Sequence, residues 1–426
     1  MSDLWDGLPV LAQDLLVLLA LMLPLGLCAA VLIRGFAPWP LVRALLWRFR
    51  WANLMFVALI AVSVGMGIGV IAQERGLRRA MAMAADKFDL IVSAPGSEMT
   101  MMLATVFLQP SDVPLLSGRV YDEIARRPEV EIAAPIAFGD SYGASPVIGT
   151  TAAFVRHLGG DRLEGRMWQD HDEAIVGAAA DLAIGDSFTP AHGQGEAADH
   201  EAHGHAQFTV VGRLARSGTP WDRAVLIPVE AVWEVHGLAN GHAPERAEQI
   251  GPPFDPDYFP GTPAVIVHSG QLWANYALKQ DFTRDAETMA FFPGTVLAEL
   301  YRVMGDVRQA MSLMSVVTQV LVAASVLLGL FILTRLFQRQ TAMLRALGAP
   351  GRFVMAVIWS YGATLLAVGT VAGMGVGMAA AAVLSRIVTQ RTDMLVAAPL
   401  GWSELHLAAA FLALTALLSL LPALMV

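Results

Sequence analysis

Arg339-Gln-Thr-Ala-Met-Leu-Arg345-Ala-Leu-Gly-Ala349, followed by Arg352, is a short basic segment between two strongly apolar runs, Ser312 to Leu333 and Val354 to Leu384. About 20 apolar residues in a helix cross a hydrocarbon core of about 30 Å. Arginines in a connecting loop hold that loop on the cytoplasmic side. The segment therefore reads as the inner turn between two membrane spans. Three further runs have the same character, Leu11 to Ile33, Ala52 to Ala72 and Leu405 to Leu421. The run 354–384 exceeds one span, so its first turns are expected to lie along the membrane surface.

Composition agrees with this class. The 426 residues are 55% hydrophobic and 15% charged, with a mean hydropathy of +0.54, too apolar for an ordinary soluble chain. The first apolar run is too long for a signal peptide, is preceded by Asp3 and Asp6, and has no small-residue cleavage site after it. It is read as a true transmembrane helix. Arg34, Arg43, Arg48 and Arg50 follow it with no acid between them, and Arg335, Arg339, Arg345 and Arg352 follow the third run likewise. Both loops belong inside, which places the N-terminus outside. Arg386 and Arg391 in the last outer loop are a mild exception, partly offset by Asp393 and Glu404.

The expected fold is an α-helical membrane protein of about five transmembrane helices with a large mixed α+β extracytoplasmic domain. Residues 1–34 form an extra N-terminal span, 35–51 a cytoplasmic basic loop, 52–74 the second span, 75–311 the outer domain, and 312–426 three C-terminal spans. Most of the acidic residues lie in 75–311, so the net charge of −9 describes that domain. Cys28, the one cysteine, falls in the first span, so the outer domain has no disulfide and needs its own core.

Strands are expected at Phe88–Ala94, Val130–Phe138, Ala174–Gly177, Phe208–Gly212, Ala224–Val229 and Pro263–His268, with a turn into a strand at Gly185–Phe188. Ala178 to Ala183 favours a short helix. From Gly294 to Met311, Val296, Leu297, Leu300, Val303, Met304 and Val307 recur at helical spacing and lead into the third span without a breaker. Such a helix is a mechanical lever, and Gln73 to Met83 at the second span is its counterpart. Ala61, Gly65 and Gly69, and Gly369, Gly373 and Gly377, form two small-residue rows that let helix backbones approach closely, as packing seams within the subunit or in a dimer.

His192, Glu196, Asp199, His200, Glu201, His203 and His205 crowd one glycine- and alanine-rich loop. Imidazole and carboxylate suit zinc or another transition metal, with His192, His200, His203, His205, Asp199 and Glu201 as the ligand set. The same composition also suits a polar loop that holds no ion. His157, His236 and His268 stand alone and read as structural or surface residues. Asp140, Asp186 and Asp222 sit in turn-like contexts where aspartate caps backbone amides.

No catalytic constellation is present: there is no Gly-x-Ser-x-Gly, no His-Glu-x-x-His and no glycine-rich phosphate loop. Lys87 and Lys279, the two lysines, do not follow glycine, which excludes a Walker A loop. No carboxylate, histidine or lysine sits at mid-depth in a span, which argues against an ion-coupled carrier. No nucleic-acid partner and no resident cofactor are expected.

Three stretches resemble the FtsX-like or MacB-type permeases of ABC transporters, whose relatives include lipoprotein-releasing permeases. They are Arg339–Ala349 with Arg352, the glycine-rich fourth span, and in order Ala174–Gly177, Gly185–Phe188, Phe208–Gly212 and Ala224–Pro228. Gln340 replaces the usual glutamate, the N-terminal span is additional, and the family's basic tail has no counterpart before Val426. The resemblance implies a bacterial inner-membrane permease homodimer whose loop residues Arg339, Gln340, Arg345, Gly348 and Arg352 touch a separate cytoplasmic ATPase. It also implies a periplasmic outer domain that meets a binding or adaptor protein and handles lipid, lipoprotein or peptide cargo. Transition-metal transport is the other cargo class considered. The alternatives are a transmembrane signalling scaffold that activates a periplasmic hydrolase and an autonomous metal sensor.

Overall fold

A computed structural model describes Trp5 and residues 7–109, 111–160, 162–193, 206–336 and 338–421. His200, His203, His205, Asp199 and Glu201 lie outside the described residues. The chain forms two compact units. The first comprises Met1–Leu77, Met304–Ile387 and Val396–Val426, the second Arg78–Val303 with Val388–Leu395.

The chain begins with helices α1 (Val10–Ile33), α2 (Trp39–Arg48) and α3 (Arg50–Ala85). None of the α1 side chains is buried. A 24-residue helix this apolar, with no side chain fully buried, is long enough to cross a membrane.

The second unit continues through β1 (Leu90–Ser93), α4 (Glu98–Thr105), α5 (Gly118–Ala125), β2 (Ile132–Tyr142), β3 (Ser145–Thr150), α6 (Ala152–Gly159), β4 (Leu163–Gly165) and β5 (Glu173–Val176). It proceeds through β6 (Ser187–Phe188), β7 (Ala191–His192), β8 (Phe208–Leu214), β9 (Val225–Pro228), α7 (Val229–Val235), β10 (Ala264–His268), α8 (Leu272–Arg284) and β11 (Met289–Phe291). The described strands make one mixed sheet in the order β11-β1-β10-β2-β3-β9-β5-β8-β4, with β6 on β8 and β7 on β2. β3 pairs with β9, and β5 with β8, in parallel. β8 alternates buried and half-buried residues, whereas β1, β5 and β9 are buried throughout. Full burial on both faces is why those strands read as continuous apolar runs. The expected helix at 178–183 is instead a turn followed by a bend and irregular chain. Gly177 and Ala179 donate their backbone N–H groups to Ala224 and Asp222 at 2.9 and 2.7 Å, which takes those amides away from a local helix.

The remaining elements are α9 (Pro293–Leu336), α10 (Gln338–Ala346), α11 (Gly351–Thr392) and α12 (Trp402–Leu418). α3 and α9 are each one unbroken helix, of 36 and 44 residues. Within the second unit they are tied together. The Tyr301 hydroxyl donates to Arg78 O at 3.0 Å, and the Arg78 guanidinium lies 4.9 Å from the Tyr301 ring centroid. Among the described residues three helices, α1, α3 and α11, are long and apolar enough to cross a membrane; Val316–Gly329 within α9, and α12, are shorter apolar stretches.

In the first unit, Ile60, Val64 and Ile68 of α3 pack with Val357, Tyr361 and Leu365 of α11 and Phe411 of α12. α11 is unbroken, so its first turns are not a separate surface segment. Val354, Ile358 and Trp359 are buried there against Leu25, Cys28 and Leu32 of α1. Covering that apolar turn with the extra N-terminal helix removes the reason for it to lie on a surface.

Candidate functional site

The loop that the sequence singles out is a helix with a defined stop. α10 ends at Ala346, and Gly348 takes a positive φ of 90°. The Gly348 N–H donates to Arg345 O at 3.0 Å and the Ala349 N–H to Leu344 O at 2.9 Å. These two bonds close a Schellman motif, which needs a left-handed residue where glycine stands, and Pro350 directly precedes α11. The result holds α10 in a fixed attitude to the start of α11. Met343 and Leu347 are 71% and 86% exposed, and Arg339, Arg345 and Arg352, close to them in sequence, are exposed as well. Gln340 lies in α10, and its side chain is outside the described residues. Two bare apolar side chains and three exposed arginines within one short segment suit a partner with an apolar groove and acidic edge.

The two glycine rows face each other. A Cβ on Gly377 would stand 2.7 Å from Gly65 O, one on Gly373 3.0 Å from Ala61 O, and one on Gly65 3.0 Å from Gly373 O. Gly369 accommodates Ile60, where a Cβ would lie 2.7 Å away, and Gly69 approaches Gly377 O more loosely, at 3.6 Å. This seam joins α3 to α11 within one subunit, which the spacing alone left open.

Of the six candidate metal ligands only His192 is among the described residues. β7 pairs with β2 so that His192 stands directly opposite Asp140. Asp140 is not a turn cap. It follows the bulge at Gly139, whose φ of +153° breaks the β2–β3 register between Phe138 and Asp140. A bulge re-aims the next side chain, and the Asp140 carboxylate thereby lies buried, 2.9 Å from His192 Nδ1 and 3.7 Å from His236 Nε2. His236 caps the C-terminus of α7, with Nδ1 2.7 Å from Val232 O. It is therefore no lone surface residue. The two imidazole centroids are 4.9 Å apart. Asp186 and Asp222 do cap turns. Asp186 accepts the Ala183 N–H at 2.7 Å, and Asp222 accepts the Ser217 and Gly218 N–H groups at 2.7 and 2.8 Å.

Two ion pairs escaped the sequence. In the first unit Arg75 Nη1 donates to Glu404 Oε2 at 2.7 Å, and the Glu404 side chain is fully buried. In the second, Arg223 pairs with Asp393, and the Leu395 N–H donates to Gly218 O at 2.9 Å. Residues 388–395, the end of α11 and the residues just after it, thus belong to the mixed α/β unit. Asp393 and Glu404 showed in the sequence only as acids of the last outer loop.

No family model and no curated protein matches the sequence. Among solved structures, the chain is similar to the periplasmic region of MacB from Actinobacillus actinomycetemcomitans, at TM-score 0.33 and 9% identity. That likeness covers 52% of this chain and 95% of the other. It is also similar to the extracellular domain of the noncanonic ABC-type transporter YknZ from Gram-positive bacteria, at TM-score 0.27 and 12% identity, over 48% of this chain and 98% of that one.

Proposed function

We propose that the chain is the membrane subunit of an ABC-type transporter in a bacterial inner membrane, with residues 75–311 outside and α10 in the cytoplasm. A separate ATPase docks on α10, and hydrolysis drives movement of the outer unit through α3 and α9. The observation that carries this is the exposed pair Met343 and Leu347 at the Schellman stop, in a segment that also exposes Arg339, Arg345 and Arg352. An apolar pair left bare on a locked helix between two long apolar helices calls for a partner. The sequence has no Walker A lysine, so in this reading ATP is bound and hydrolysed by a separate chain. The long unbroken helices supply rigid transmission, because a continuous hydrogen-bonded helix does not absorb displacement at a hinge. The transporter works as a dimer with two ATPases, and its cargo is handled on the outer side.

Purification from mild detergent tests this. An ATPase carrying a Walker A motif is expected with the wild-type chain and is expected to be lost with Arg345→Glu, which reverses the charge at that position. Absence of such an ATPase from the wild-type preparation contradicts the proposal.

A further inference from the structure

We infer that Asp140, His192 and His236 form a binding site for a borderline divalent metal ion, Zn²⁺ foremost, on the mixed α/β unit. Each residue offers one ligand atom, and the three atoms lie within 4.8 Å of one another. Four-coordinate zinc with bonds of about 2.0–2.1 Å sets neighbouring donors about 3.4 Å apart. The observed separations from Asp140 Oδ1, 2.9 Å to His192 Nδ1 and 3.7 Å to His236 Nε2, bracket that value.

Tautomer chemistry points the same way. Val232 O only accepts hydrogen bonds, so His236 Nδ1 must carry the proton it shares across 2.7 Å. In the neutral ring Nε2 is then an acceptor, and it faces a carboxylate oxygen. An imidazole nitrogen and a carboxylate oxygen that face one another are two donor atoms that a single metal ion can bridge. A ligating imidazole that gives its other N–H to a backbone carbonyl is the arrangement that fixes a ring for metal binding. His236 has that arrangement at the end of α7, and its exposure is only 29%.

The other two ligands are equally held. The Gly193 N–H donates to Gly139 O at 3.1 Å, and Ser141 Oγ donates to Gly193 O at 2.6 Å, so the residue after His192 is held to β2 on either side of Asp140. Asp140 is 4% exposed while His192 is 42% exposed, which leaves one side open to solvent. A cavity of about 480 Å³, lined by Gln109, Asp112, Gly139, Asp140 and Gly193, borders the carboxylate. Three protein ligands with an open fourth position make an exchangeable site rather than a closed structural one. Two imidazoles and a carboxylate select zinc, copper or nickel over calcium or magnesium.

The inference is independent of the permease proposal, because it is tested on the chain alone. Full-length protein in detergent, stripped with a chelator, is titrated with Zn²⁺ against a chromophoric competitor, and with Co²⁺ for the visible absorption of a four-coordinate ion. One ion per chain is expected. Asp140→Asn, His192→Ala and His236→Ala are each expected to weaken binding at least ~10-fold and to lose the Co²⁺ band. The His200/His203/His205→Ala variant is expected to keep both, which separates this site from the rest of the His-rich loop. His192 is the exposed ligand, so its variant serves where substitution of buried Asp140 impairs folding. Wild-type affinity weaker than millimolar, or unchanged affinity in all three single variants, overturns the inference.

Discussion

Arg75 and Glu404 are 329 residues apart in sequence and 2.7 Å apart in space. Glu404 also accepts the Gly401 N–H at 2.9 Å, and Arg75 bonds to Pro399 O. The carboxylate thus sits at the start of α12, where a helix N-terminus favours negative charge, and the guanidinium fastens α3 to the same corner. Arg75 is a residue of the expected lever, so the pair clamps the lever at a defined point within the first unit.

Removing one partner of such a pair strands a buried charge. Arg75→Met is expected to destabilise the detergent-solubilised protein by about 3–5 kcal/mol. The Arg75→Met/Glu404→Leu double variant should recover much of that loss. A double-mutant cycle on thermal or denaturant unfolding measures the coupling. A single-variant effect within about 0.5 kcal/mol of zero would show the pair to be incidental.

The α3–α11 seam makes a sharper steric prediction. Gly377→Val places a Cβ against a backbone oxygen that cannot rotate away, and overpacking of this kind costs about 1–3 kcal/mol. Gly375→Val, whose Cβ would meet nothing within 4 Å, is the control and should be far milder. Melting temperatures of the two variants in one detergent provide the comparison.

Asp393 holds a positive φ of 57° and pairs with Arg223. Asparagine tolerates that backbone region and alanine does not, at about 1 kcal/mol or more. Asp393→Asn should therefore destabilise the mixed α/β unit less than Asp393→Ala, as judged by limited proteolysis around residues 388–395. Equal protection in both variants would leave the backbone conformation without consequence.

Acid stability should report on Glu173. Arg166 holds its carboxyl below the usual carboxylate range, with the Gln169 N–H at 2.7 Å assisting against the opposing effect of burial. A depressed carboxylate contributes stability above its unfolded-state pKa, and that contribution disappears as pH falls through the folded-state value. Glu173→Gln should cost on the order of 1 kcal/mol at pH 7, with the gap to wild type closing on acidification below the usual carboxylate range. Denaturation curves across that pH range would record it, and a gap that does not change with pH would contradict the assignment.

The sheet was legible where strands bury both faces or alternate cleanly, as at Val225–Pro228 and Phe208–Leu214. β7 was not, because a two-residue strand exists only through its distant partner in β2. Gly139-Asp140 has the composition of a turn, and only the surrounding register turns it into a bulge. For the same reason His236 read as solitary: the residues it meets belong to other strands. Both glycine rows were visible as rows, but small-residue spacing marks a face and not the helix that covers it. The Schellman stop at Gly348 follows from residues adjacent in sequence, and the Arg339–Ala349 segment was accordingly the most legible part of the candidate site.

The central claim is that α10 is the docking point for an ATPase. A photo-crosslinking amino acid at Leu347, 86% exposed, tests it in intact membranes, with Leu238, 51% exposed in the mixed α/β unit, as the control position. The predicted result is an adduct from position 347 alone, identified by mass spectrometry as a protein with a Walker A motif. No such adduct at 347, or equal adducts from both positions, would contradict the account.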